Sequence, residues 1–397
     1  MSRVVMLLSN PFIHDARVYR EATSLTRQGH DVTIYAWDRD GAHPPREEKN
    51  GIHVERVHVA AGYGRGALSL GGFAGFGLAA MRRASARPFD IVHSHDLDTM
   101  PFGYLLARLR GKPVIFDAHE PYSLYQRFHG VFRGILQQIE SYMLRHADHV
   151  ITVTPGMVDW LRTRGARRVT LVANYPDDLF YSDIAPKPRP DSAPLVLGWI
   201  GSLKPGNQLE LIVDGVTEYN ARHPDAPMGL LFVGPVAPAY KERLLERGHA
   251  LKEHLQIIGP VPYQEVPRYY QLLDMSIMVD ADVPQKRLAL NLKLYESMAM
   301  GVPIIVQPSG GAKDVVTAAG AGLVLPDCHS ESIANALEAL ASDPLVRSTM
   351  GRNGWRAVRE RYNWGVSEQA LFRVYDSLLG NAAPATTQTT RGEKRPA

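Results

Sequence analysis

The order in which short apolar runs and helical periods repeat constrains this chain more than anything else in it. Val4-Val-Met-Leu-Leu8 is apolar at every position. A strand of that kind has to be covered on both faces, as strands of a parallel sheet are. Residues 17–28 then carry Val18, Ala22 and Leu25 at helical spacing and stop at Gly29. A second strand over 31–36 completes β-α-β, the unit from which parallel sheets are wound. The pattern continues with strands expected over 52–59, 89–93, 113–117, 150–153 and 169–172, and with helices over 100–110 and 132–146.

At 183–194 the composition changes to Pro186, Pro188, Pro190 and Pro194 with polar residues between them, which reads as a linker. The same pattern then restarts. Strands are expected over 195–200, 229–233, 255–258 and 275–279, a helix over 209–222, and a last helix over 364–379. Two restarts predict an α/β protein with two Rossmann-like, doubly wound domains facing each other across a cleft. The expected division is 1–185, 194–362, a helix within 363–380 returning to the first domain, and a polar, disordered tail over 381–397. A length of 397 residues also asks for two or three domains.

Composition narrows the function by exclusion. A net charge of +3 gives no reason to expect nucleic acid as a partner. One cysteine, Cys328, excludes a disulfide framework and a cysteine zinc site and suits a reducing compartment. The first apolar run is too short for a signal peptide or a membrane span, so a cytoplasmic protein is expected. No first βα turn carries G-x-G-x-x-G, which argues against a dinucleotide-dependent dehydrogenase.

Asn291-Leu-Lys-Leu-Tyr-Glu296-Ser-Met-Ala-Met-Gly301-Val-Pro-Ile-Ile-Val306 has the chemistry of an anion site. It reads as a helix start, a short helix, a glycine stop and a buried strand. Free N–H groups and the helix dipole favour an anion at that start. Lys293 and Glu296, three apart, project from the opening of the helix on neighbouring faces. The ammonium suits a phosphate, and the carboxylate suits a pair of sugar hydroxyls.

Several stretches together resemble the GT-B glycosyltransferases, and among them the retaining family 4. They are His14-Asp-Ala-Arg-Val-Tyr-Arg-Glu-Ala22, Asp90-Ile-Val-His-Ser-His-Asp96, Phe116-Asp-Ala-His-Glu120, Ile151-Thr-Val-Thr-Pro155, Asn174-Tyr-Pro-Asp177, Gly201-Ser-Leu203, Ile258-Gly-Pro-Val-Pro262 and Lys293-Leu-Tyr-Glu-Ser-Met-Ala-Met-Gly-Val-Pro303. The resemblance implies transfer of a sugar from a UDP-, GDP- or ADP-sugar to a saccharide or lipid-linked acceptor, with retention and with neither metal nor cofactor. It places the donor on Gly201, Ser202, Lys204, Asn207, Val261, Pro262, Asp282, Asn291, Leu292, Lys293 and Glu296. It places the acceptor near Asn10, His14, Asp15, Arg17, Asp96 and Glu120, with His119, Lys293 and Glu296 at the reacting centre.

The chain departs from that family at three positions. Leu288 stands where many members carry a glutamate, and Ser202 and Asn207 stand where many carry an arginine and a lysine on the phosphates. Lys204, Lys286, Arg287 and Lys293 are the available replacement cations, and Asp280 or Asp282 could read the sugar. These departures keep two other readings open, a nucleotide-sugar epimerase of the same fold and a non-catalytic binding protein. His93-Ser-His-Asp96 could form a metal cluster, with His93 and His95 on one side of a strand, but no fourth ligand is evident. Asp15 can either cap a helix or meet the acceptor. Residues 62–88 are glycine-rich, apolar and then basic, with no acid, and either rest on an anionic membrane or pack on the first sheet.

Overall fold

A computed structural model of the chain describes residues 1–13, 15–61, 67–125, 128–176 and 194–380, with side chains of 67–70 excepted. His14, the linker and the tail therefore lie outside the described residues. Among the described residues the first sheet has eight strands in the order β3 (Arg46–Lys49), β4 (Ile52–His58), β2 (Asp31–Asp38), β1 (Arg3–Leu8), β5 (Ile91–His95), β6 (Val114–Ala118), β7 (His149–Thr152), β8 (Val169–Leu171), and the second has six in the order β11 (Leu255–Ile258), β10 (Gly229–Val233), β9 (Val196–Ile200), β12 (Met275–Met278), β13 (Ile304–Val306), β14 (Gly322–Val324). Every pairing is parallel except β3 (Arg46–Lys49) with β4 (Ile52–His58). The short strand β3 was not legible in the sequence. All four of its residues are charged, which protects an edge but hides a strand.

The non-alternating runs have the predicted cause. In β1 (Arg3–Leu8), Val4, Met6 and Leu8 enter one core and Val5 and Leu7 enter the other. The first core lies under helices Ala16–Arg27 and Trp364–Leu379, so the C-terminal helix does return to the N-terminal domain. Trp364 Nε1 donates to Ser24 Oγ at 3.0 Å, and Ser367 Oγ donates to the Ala173 carbonyl at 2.9 Å. The other core lies under helices Ala67–Ser85, Asp96–Arg110 and Gly130–His146. Helix Asp96–Arg110 begins one turn before the expected position, because Pro101, a good first-turn residue, sits further inside it.

Within 71–85, Phe73 and Phe76 pack on the first domain, while Leu78 is 60% exposed. Phe76 stacks on Trp37 at 5.3 Å inside the domain, and the partly buried Phe73 meets the edge of the same ring at 4.7 Å. Arg83 donates to the Arg56 carbonyl and Arg87 pairs with Glu55, leaving Arg82 outward. Residues 62–66 lie outside the described residues.

In doubly wound sheets, ligands collect at the carboxyl ends of strands where the strand order reverses. Here the reversals fall between β1 and β5 (Ile91–His95), and between β9 (Val196–Ile200) and β12 (Met275–Met278). The chain leaving those strand ends carries Asn10 and Asp15, Asp96, Gly201–Asn207 and Asp280–Asp282.

Candidate functional site

The C-terminal half of the site is built on a turn that only glycine permits. Gly201 (φ 139°) and Gly234 (φ 145°) follow neighbouring strands, and a Cβ on Gly234 would lie 2.1 Å from the Gly201 carbonyl oxygen. Lys293, the second residue of helix Leu292–Ala299, lies over that turn. A Cβ at Gly201 would come within 3.3 Å of its Cε and 3.4 Å of its Nζ. The ammonium stands 3.6 Å from the centre of the Trp199 ring. Burial pulls its pKa down to about 8, although Asp280 and Glu296 oppose the shift. A cation held under such tension gains from the arrival of an anion.

Glu296 falls one turn further in than the helix opening assigned to it. It is 6% exposed and accepts from Tyr263 Oη at 2.9 Å and from Tyr270 Oη at 3.3 Å. Burial, then the Glu296 charge, pushes the Tyr270 phenol well above its ordinary range. The sequence did not reveal either tyrosine as a partner, because they arrive from separate turns of the chain. Val261 packs on the C-terminal core and the Pro262 carbonyl accepts from Glu265 N–H at 2.9 Å, so these two residues set where Tyr263 stands.

The missing cations are partly replaced. Lys286 Nζ lies 2.8 Å from Asp280 Oδ1 and 3.4 Å from Asn207 Oδ1, which brings an ammonium to the position where the family pattern has its lysine. Asn207 donates to the Ser202 carbonyl at 2.7 Å, and Asn291 donates to Asp280 Oδ2 at 3.0 Å. Asp280 is thus enclosed by Lys286 and Asn291. Arg287 is not available, since it is bidentate to Asp282 at 2.6 and 2.7 Å; Asp282 is correspondingly tied to Arg287. Lys204 is exposed at the rim, and Leu292, the first helical residue, is half-buried beside Lys293.

Leu288 has an explanation. Its carbonyl accepts from Thr154 Oγ1 at 2.7 Å, and its side chain packs against the N-terminal core beside Gly156. Where many relatives place a carboxylate, this chain places an apolar contact between its domains.

The N-terminal half is a histidine–carboxylate network. His119, just past β6 (Val114–Ala118), has Nε2 2.8 Å from Asp117 Oδ2 and Nδ1 3.3 Å from Asp96 Oδ2. Its backbone N–H donates to Asp96 Oδ1 at 3.2 Å. Despite burial, the two carboxylates hold its pKa well above 6.5, so His119 is a fixed imidazolium. Asp117 is held well below the usual carboxylate range by Arg17 and His119 against its own burial.

Arg17 requires a correction. It does not face the cleft: it is 5% exposed, bidentate to Asp117 at 2.7 and 3.1 Å, bonded to the Val172 carbonyl and Asn174, and 2.8 Å from Glu21. Asp15 caps its helix through Val18 N–H at 3.0 Å and accepts from Asn10 Nδ2 at 2.9 Å, so both residues shape the loop after β1. Glu120 is exposed and accepts from Tyr125 Oη at 2.7 Å.

His93 and His95 do share one side, with rings 4.4 Å apart. Asp96 is not in the cluster that the structure forms there; instead Glu21 and Asp117 join His93 and His95, all four buried, with candidate ligand atoms within 4.8 Å of one another. Arg17, touching both carboxylates, and the His119 imidazolium already occupy that centre with positive charge. A divalent ion would have to displace them, so the cluster reads as a charge network. Tyr375 of the returning helix closes it, its hydroxyl 2.9 Å from His93 Nδ1.

Two parallel-sheet domains of this topology define the GT-B fold. Residues 15–175 match the family model described as glycosyl transferase 4-like domain, and 194–343 that of glycosyl transferases group 1. The chain belongs to the GT-B glycosyltransferases of the family 4-like kind. It is 25% identical over 403 residues to the D-inositol 3-phosphate glycosyltransferase of Kineococcus radiotolerans, covering 91% of this chain and 89% of that one. It is 22% identical over 292 residues to the alpha-D-kanosaminyltransferase of Streptomyces kanamyceticus, covering 70% and 74%. A sucrose-phosphate synthase from Thermosynechococcus elongatus shares the fold at a TM-score of 0.76 and 19% identity, over 96% of this chain and all 100% of that one. Anabaena HepE, solved with UDP, does so at 0.73 and 15%, over 95% and 100%.

Proposed function

We propose that this glycosyltransferase moves a sugar from a nucleotide diphosphate sugar to a saccharide or lipid-linked acceptor with retention, in the building of a surface glycan. The observation that carries the reading is the half-buried Lys293 ammonium over the Gly201 turn, one helical turn from the Glu296 carboxylate. Diphosphate beside Lys293 and Lys286 leaves the ribose hydroxyls within the range of Glu296. As the bond from the sugar C1 to the diphosphate oxygen breaks, its electron pair stays on the diphosphate, the acceptor hydroxyl oxygen bonds to C1 and its proton passes to the departing diphosphate, while the ammonium groups offset the growing charge without a metal. His119 and Asp96, on the facing domain, hold the acceptor side. HepE has been solved with UDP-glucose, which puts UDP-sugars first among the donors to try.

The direct test is incubation with UDP-, GDP- and ADP-sugars. Slow release of free nucleotide supports transfer, release of a free epimeric sugar points to an epimerase, and binding without turnover points to a binding protein. Glu296→Gln should weaken nucleotide binding by about 1–3 kcal/mol without unfolding the protein, because buried hydroxyls lose a charged acceptor. Unchanged affinity in calorimetry would remove Glu296 from the donor site. His119→Ala should lower turnover far more than donor affinity; equal losses would make His119 a support of the fold alone.

A further inference from the structure

Trp199, in β9, is a large ring of the C-terminal core and is 1% exposed. Its indole Nε1 is buried and finds no hydrogen-bond partner among the described residues. A buried donor left unpaired costs stability and asks for a reason. Phe232, the register partner of Trp199 on β10, fills the same core without such a donor. The reason lies on the face of the ring. Lys293 Nζ stands 3.6 Å from its centre, and tryptophan offers a cation the best face of any aromatic side chain.

We infer that Trp199 is a positioning residue for sugar transfer, whose ring holds the Lys293 ammonium over the Gly201 turn ready for the diphosphate. The consequence for transfer rests on the transferase reading above, whereas the ring contact does not. The carboxylates facing that ammonium are engaged elsewhere. Asp280 is taken by Lys286 and Asn291 at 2.8 and 3.0 Å, and Glu296 by Tyr263 and Tyr270 at 2.9 and 3.3 Å. Lys286 and Lys204 repel the ammonium, and so does the positive end of its own helix. Tyr270 Oη also donates to the Lys293 carbonyl at 3.3 Å, which fixes the backbone from which the side chain starts. On a carboxylate the ammonium would be neutralised, and it would have to be pulled away before meeting a phosphate. A ring face attracts the charge without cancelling it. Because Trp199 is buried and Lys293 half-buried, the ring lies beneath the ammonium, and a diphosphate arriving from the exposed side leaves the ring contact in place. A Cβ at Gly201 would lie 3.4 Å from Lys293 Nζ and 3.9 Å from Trp199 Nε1, so the missing side chain is what lets the two meet there.

This contact has a spectroscopic signature of its own. The other tryptophans carry arginine on the ring: Arg39 over Trp37, Arg164 over Trp160, Arg359 over Trp355 and Arg20 over Trp364. Arginine keeps its charge across the whole working range of pH. Among these pairs only Lys293 can lose its proton, since burial brings its pKa down to about 8. A neighbouring ammonium quenches indole emission, so emission from Trp199 rises when that proton leaves.

The test is a pH titration of the tryptophan emission of the full chain. A step with its midpoint near pH 8 is expected in the parent, and it should vanish in both Lys293→Met and Trp199→Phe. Calorimetry with UDP, GDP and ADP, each beside its nucleoside, reads the consequence for the site. Trp199→Leu should weaken binding of the preferred diphosphate by about five- to thirtyfold. The nucleoside, with no phosphate for Lys293, should bind as it does to the parent. Trp199→Phe keeps a ring face and should lose only part of that affinity. Lys293→Met and Trp199→Phe leave the core filled, so the emission test stands even where Trp199→Leu does not fold. No step in the parent, a step that survives in Lys293→Met, or normal diphosphate binding by folded Trp199→Leu overturns the inference. An equal loss for nucleoside and diphosphate does so too, since Trp199 would then support the core alone. A parent that shows the step but binds none of the three diphosphates overturns the transferase reading, and the role of the contact in transfer with it.

Discussion

Lys293→Met is expected to lower sugar transfer by about ten- to a few-hundredfold while the ligand-free protein keeps or gains thermal stability. The loss follows from one charge-assisted contact to phosphate, worth roughly 1.5–3 kcal/mol and more where water is excluded. The helix start supplies only about half an elementary charge by itself. The stability gain follows from linkage. Burial lowers the Lys293 pKa from 10.5 to about 8, so the charged form is disfavoured in the fold. At pH 7 the lysine is protonated in both states and the cost is fully present. Between about pH 8 and 10.5 the unfolded chain holds more protons, so stability rises with pH there. Methionine removes that cost at neutral pH and can still pack on Trp199. For the same reason nucleotide affinity should fall as pH climbs past about 8, and binding near pH 8 should take up a proton, measurable by calorimetry in two buffers. Normal transfer by the variant would move the diphosphate contact to Lys286 or Lys204.

The second large effect is expected at Asp117. Replacing it by alanine takes one buried counter-charge from both Arg17 and His119, leaving Glu21 and Asp96 as their remaining carboxylate partners, and breaking a buried pair costs up to about 3–5 kcal/mol. The variant should unfold at markedly lower urea concentration. Its pH dependence has a defined sign. The depressed Asp117 pKa contributes stability that is complete above its unfolded value of 3.8 and is lost as pH falls. The raised His119 pKa contributes stability that is complete below 6.5 and is lost as pH rises through the folded value. Both contributions are full between those limits, so the difference between Asp117→Ala and the parent chain should be largest there and shrink on either side. A flat difference across pH would mean that the network is held by packing and not by charge.

The chain's own order of residues was enough to specify the elements that cover most of it. Runs such as Ile304-Ile-Val306 are apolar without alternation because the strand is buried on both faces, and that requirement is visible in one dimension. The glycine turn at Gly201 and the helix carrying Lys293 were legible for the same reason, since both are short local motifs. What each side chain meets was not local. Arg17 sits in an amphipathic helix that reads as surface, yet it ends in the core because Asp117, one hundred residues on, needs a counter-charge. Leu288 looked like a lost carboxylate, and only the docking of its segment on Thr154 shows it as a contact between domains. Tyr263 and Tyr270 reach Glu296 across a turn of fold. Local backbone preference and burial pattern are properties of neighbouring residues, so sequence determines them. Charge pairing in a dry interior depends on distances between remote segments, and only the tertiary structure decides those.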